Sequence, residues 1–135
     1  MGLDNGIMLK IKNREKFGNV VPFLKHQDWE DKDEYEILYW RKCWNIREEI
    51  FTMLHTLKPE DNGNCVFSVE LLEDIIYHLN ECYTPEWWRD HNNSIWDFDE
   101  VCGNYYYHLI NAIRVVDFLK TRDPESYEIY FYDSY

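Results

Sequence analysis

Two segments at opposite ends of the chain alternate apolar and polar residues with a period of two. Near the start, Ile7, Leu9 and Ile11 alternate with Met8, Lys10 and Lys12. Near the end, Tyr127, Ile129 and Phe131 alternate with Glu128, Tyr130 and Tyr132. Successive side chains of a strand point to opposite faces, so each segment reads as a half-buried strand. A lone strand leaves its N–H and C=O groups without partners. The two segments are therefore expected to pair with each other, over residues 6–12 and 127–133. Lys10 and Lys12 would then face Glu128 across the ladder. This pairing constrains the whole fold, because it closes the chain end to end in one sheet.

Between the strands the spacing changes to threes and fours. Tyr39, Cys43, Ile46, Ile50, Met53 and Leu57 form one stripe, with Trp40, Trp44, Phe51 and Leu54 beside it. Two adjacent stripes predict a central helix over about 36–57. Tyr35, Glu36 and Ile37 also fit an extra strand before it. Pro59 ends the helix, and Asp61-Asn62-Gly63-Asn64 reads as a turn. Residues 65–67 read as a short extended piece. Ser68 is placed to cap a second helix, whose inner face is Leu72, Ile75, Ile76 and Leu79. Thr84-Pro85-Glu86 opens a helical turn containing Trp87 and Trp88. A third helix begins at Asp97 or Asp99 and presents Cys102, Tyr105, Leu109, Ala112, Val116 and Leu119. Residues 13–35 show no clear period.

The composition decides whether such a chain folds. It has 135 residues and a net charge of −12, with 18% aromatic and 45% hydrophobic residues. Charge alone would favour disorder, but disordered chains lack aromatic residues. One domain of this length can bury its own core without disulfides or metal. The acidic balance argues against direct nucleic-acid binding, which needs clustered positive charge. No apolar run approaches the roughly 20 residues that span a bilayer. No signal-like start precedes residue 6, so a cytoplasmic protein without membrane contact is expected. Cys43, Cys65, Cys82 and Cys102 are widely spaced and read as buried thiols rather than disulfides.

The charge is uneven. Residues 1–26 hold two acids against five bases, whereas the remaining residues hold 24 acids against nine bases. Residues 28–36 and residues 81–100 each contain six acids and one base. The second run is interleaved with Tyr83, Trp87, Trp88, Trp96 and Phe98. One reading is a solvated face that keeps the protein soluble. The other is an acidic, aromatic surface for a basic protein, with Trp and Tyr as anchors and carboxylates for steering.

No phosphate-binding glycine loop or nucleophile elbow is present, and no cofactor is implied. His78 and Cys82 are four apart on one side of the second helix, with His91 close in sequence. These three are weak metal candidates, and without closely spaced cysteines no metal site is expected. Arg41, Lys42 and Arg47 form a small basic group next to Trp40 and Trp44. They either pair with Glu48, Glu49 or the acidic loops, or form an anion-accepting pocket with a Trp wall.

Three strings stand together: Gly2-Leu3-Asp4-Asn5-Gly6-Ile7, Tyr39-Trp40-Arg41-Lys42 and Phe131-Tyr132-Asp133-Ser134-Tyr135. In these the chain resembles a family of small hypothetical proteins of bacteria and their phages. The resemblance covers essentially the whole chain. It implies an accessory or host-interaction role and carries no chemistry of its own.

The expected architecture is a single α+β domain over residues 1–135. Three main helices pack on a small antiparallel sheet that pairs the terminal strands. The joined termini would gather Asp4, Asn5, Asp133 and Tyr135 at one sheet edge, with Tyr39, Trp40, Arg41 and Lys42 nearby. The leading functional expectation is a non-enzymatic acidic module for a basic partner protein, with Trp87 and Trp88 as anchors. The alternative is a small hydrolase or anion-binding protein with its site at the joined termini. An open strand edge also leaves room for a homodimer.

Overall fold

A computed structural model describes residues 4–18, 24–27, 33–41, 44–54, 65–84, 86 and 98–134. Five strands form one antiparallel sheet: β1 (Asp4–Ile11), β2 (Lys25–Gln27), β3 (Glu34–Arg41), β4 (Cys65–Phe67) and β5 (Tyr127–Ser134). Their spatial order is β2-β3-β1-β5-β4. Four helices are described: α1 (Arg14–Phe17), α2 (Trp44–Met53), α3 (Val69–Cys82) and α4 (Phe98–Leu119).

The terminal strands pair as their alternation requires. Asn5 faces Asp133, Ile7 faces Phe131, Leu9 faces Ile129 and Lys10 faces Glu128. Lys12 approaches Glu128 at 4.0 Å. Ile7, Leu9, Ile129 and Phe131 are almost wholly withdrawn from solvent. They meet Ile46, Ile50, Leu72, Ile75, Leu79, Leu109, Ala112 and Val116 from the helices in one continuous core.

β1 lies at the centre and needs a neighbour on each side. β3 supplies the second one, and this corrects the long helix expected over 36–57. Residues 34–41 are strand, and α2 starts only at Trp44. The three-and-four spacing of α2 happens to run backwards through Tyr39, which is why a helix fits there on paper. The open edge of β1 and the Tyr-, Ile- and Trp-rich composition favour the strand. The pairing slips once: Ile7 faces Leu38, whereas Met8 faces Glu36, so Ile37 has no opposite number on β1. This bulge allows Ile37 and Leu38, adjacent in sequence, both to be buried.

Helix α3 begins as its sequence dictates. The Ser68 hydroxyl accepts from the Leu71 N–H at 3.1 Å, and Glu70 sits in the first turn. Its buried face is Leu72, Ile75, Ile76 and Leu79. α4 packs against both α3 and β3. α1 and β2 arise in the stretch without a period. They are too short to show one, although Phe17 of α1 is fully buried and stacks edge-on to Tyr127, with ring centroids 5.9 Å apart. Among the described residues, no helix is long and apolar enough to cross a membrane.

Candidate functional site

Three places on the fold combine residues capable of chemistry or recognition. The first is the joined termini. Asn5 and Asp133 are opposite one another on β1 and β5. The Asn5 side-chain amide donates to Asp133 Oδ1 at 2.5 Å. Arg47, from α2, closes on the same carboxylate with two parallel bonds. Its Nε donates to Oδ1 at 2.7 Å and its Nη2 donates to Oδ2 at 2.8 Å. Its Nη1 reaches Glu48 at 3.1 Å. The guanidinium also lies 4.7 Å from the Phe51 ring centre, and Phe51 meets Phe131 edge-on at 5.4 Å. A planar fork on a carboxylate, closed off from water, is the strongest kind of side-chain ion pair. It neutralises Arg47 internally. The Asn5 side-chain oxygen Oδ1 is buried with no hydrogen-bond partner among the described residues.

The expected gathering of residues here is met in part. Tyr39, Trp40 and Arg41 stand opposite Gly6, Asn5 and Asp4, so strand β3 brings them there rather than a helix. The Tyr39 side chain is exposed. The side chains of Asp4, Trp40 and Arg41, and Lys42 and Tyr135 entirely, lie outside the described residues. Gly6 is required where it stands. A Cβ on it would come within 2.5 Å of the Tyr132 ring and 2.9 Å of the Leu38 carbonyl oxygen.

The second place is the outer seam of α3 and α4. A hollow of about 240 Å³ opens there, with Ile76 and Val116 at its floor and Tyr77 and Ile113 at its margin. Tyr77 is 66% exposed, Ile113 46% and Ile110, one turn away, 54%. Three large apolar side chains in solvent on one seam need a reason. Two carboxylates line the hollow, Glu73 of α3 and Asp117 of α4, and α3 as a whole carries Glu70, Glu73, Asp74 and Glu81 with no Lys or Arg. Glu73 holds Lys120 at 2.5 Å. That hydrogen bond raises the Lys120 ammonium above its ordinary value, and the charges of Glu73, Asp117 and Glu70 add to it. Among the described residues no ion pair occupies Asp74, Glu81 or Asp117. A second, larger hollow of about 390 Å³ lies by β4 and the start of α3. It mixes Lys12, Lys120 and Arg122 with Glu70 and Glu128, so it selects neither sign of charge.

The third place joins α2 to α3. His78 Nε2 is 2.9 Å from Glu49 Oε2, and Cys82 Sγ is 3.6 Å from His78 Nδ1. Cys82 is exposed and Cys65 half-buried, and both are free thiols. Burial pushes the Cys65 thiol up. The exposure of Cys82 corrects the expectation of buried thiols throughout: it is the last residue of α3, in line with Ile75 and Leu79 but at the open end of the helix. Among the described residues no group of three His, Cys, Asp or Glu side chains is arranged to hold a metal ion. His91, Trp87 and Trp88 lie outside the described residues.

Sequence reasoning missed Arg47 as the partner of Asp133, and Glu49 as the partner of His78. Each pair spans different elements, and only the three-dimensional packing brings them together. The exposed Tyr77, Ile110 and Ile113 did leave a signal, since each falls off the apolar stripe of its own helix. No family model, no curated protein and no solved structure matches the chain.

Proposed function

We propose that the protein is a non-enzymatic acidic interaction module that binds a basic partner protein through the α3–α4 seam. The observation that carries this reading is the exposed trio Tyr77, Ile110 and Ile113, bordered by Glu73 and Asp117 over a shallow hollow. An apolar strip gives affinity through desolvation, and a carboxylate rim selects and steers a cationic ligand. The fitting occupant is an amphipathic segment with an apolar face flanked by Lys or Arg. A hydrolase or anion-binding site at the joined termini has less support, because Arg47 already spends its guanidinium on Asp133 and Glu48.

Site-directed crosslinking tests the proposal. A photoreactive residue at position 113, in the full chain exposed to bacterial extract, should capture a protein whose crosslinked peptide is basic and apolar. Capture only of a second copy of this chain, or of acidic peptides, would contradict it.

A further inference from the structure

Glu49, His78 and Cys82 form a chain of hydrogen-bonding groups from α2 to the end of α3. The distances are 2.9 Å from Glu49 Oε2 to His78 Nε2 and 3.6 Å from His78 Nδ1 to Cys82 Sγ. A carboxylate can only accept, so the imidazole proton belongs on Nε2. In the neutral ring Nδ1 is then bare and faces the thiol. The positions are built into the fold. His78 and Cys82 are four apart on one helix, which stacks them on the same side. Glu49 comes from the neighbouring helix. A nucleophile within reach of a base, and a base oriented by a third group, is the arrangement that activates a thiol.

We propose that Cys82 is a reactive surface thiol that undergoes thiol–disulfide exchange with small-molecule disulfides, with His78 as its base and Glu49 positioning the imidazole. The step balances without any further reagent. The Cys82 S–H proton moves to His78 Nδ1. The thiolate attacks one sulfur of the incoming disulfide, its S–S bond breaks and a mixed disulfide forms on Cys82. The departing thiolate takes the proton back from His78. Cys82 is oxidised and the released thiol is reduced. Glu49 holds the imidazolium formed on the way. So does the position of His78 in the last turns of α3, where the helix carbonyls favour a cation. Exchange asks for an accessible sulfur and a proton acceptor, and Cys82 has both.

The same chain contains its own comparison. Cys65 is half-buried in β4, where burial disfavours the thiolate. The full-length protein is incubated with oxidised glutathione, and the modified peptides are followed by mass spectrometry. Glutathione should appear on Cys82 before Cys65. His78→Gln should slow modification of Cys82 by about tenfold, less than an enclosed catalytic base achieves because this site is open to water. Cys82→Ser should abolish the fast phase. Equal rates in the unaltered chain and a folded His78→Gln would overturn the proposal, as would earlier modification of Cys65. If His78→Gln does not fold, nitrogen NMR of the unaltered, histidine-labelled chain decides instead. A proton on Nε2 of His78 that is redistributed in Glu49→Gln supports the positioning role, and a proton on Nδ1 overturns it.

Discussion

Arg47 and Asp133 lie 86 residues apart and share two hydrogen bonds of 2.7 and 2.8 Å, with side chains only 5% and 4% exposed. The pair fastens α2 to the end of the last strand, next to Asn5 of the first. It therefore locks the closure that the two alternating segments begin. A buried ion pair contributes little over well-packed apolar residues, but breaking one side strands a charge.

Asp133→Ala should accordingly cost about 3–5 kcal/mol of unfolding free energy. Urea denaturation gives the measurement. Arg47→Ala/Asp133→Ala should cost clearly less than the sum of the two single changes, because the residues share one interaction. Additive costs would show that the two side chains do not depend on each other.

Gly6→Ala should destabilise the sheet by about 1–3 kcal/mol, the usual range for overpacking. The added methyl meets both the Tyr132 ring and the Leu38 carbonyl oxygen. The ring can yield and the backbone carbonyl cannot. Tyr132→Ala in the same chain should thus restore only part of the loss, as read by the urea midpoint.

Ser68→Ala should cost about 1 kcal/mol through loss of the α3 cap. The Leu71 N–H then has no side-chain acceptor in its place. Thermal unfolding of the two proteins gives the comparison, and an unchanged midpoint would mean that the cap contributes nothing.

Tyr130 should resist ionisation. Burial raises its phenol most, the negative charge of Glu34 adds to that, and the hydroxyl donates to Glu34 at 3.1 Å. The folded value lies above the unfolded one, so the protonated form belongs to the folded state. The stability this contributes is complete below the ordinary phenol value of about 10. It is lost as pH rises beyond that toward the raised folded value. Absorbance titration at alkaline pH should show late tyrosine ionisation, to which Tyr127, also raised by burial, contributes, and Tyr130→Phe should remove part of it.

Much of this architecture was legible in the chain. The terminal strands declared themselves because one face of each is buried and the other is not. Ser68 and the stripe from Leu72 to Leu79 located α3, since cap and periodicity agree there. β3 was hidden because its apolar residues continue the spacing of α2, and only the second open edge of β1 distinguishes strand from helix. The sites were less legible. His78 and Cys82 could be paired by their spacing, but Glu49 joins them from another helix. Arg47 looked like one of three neighbouring cations. Arg41 ends β3 whereas Arg47 belongs to α2, and the closed termini deliver Asp133 to Arg47.

The seam of Tyr77, Ile110 and Ile113 between α3 and α4 is where the basic partner should bind. The most direct test is fluorescence anisotropy with an amphipathic peptide bearing lysines beside a leucine face, set against a peptide with glutamates in place of the lysines. The basic peptide should bind, its affinity should fall steadily between about 50 and 500 mM salt as screening grows, and Tyr77→Ala should weaken it by about 2 kcal/mol. Equal affinity for the acidic peptide, or binding of the basic one that neither salt nor Tyr77→Ala changes, would contradict this.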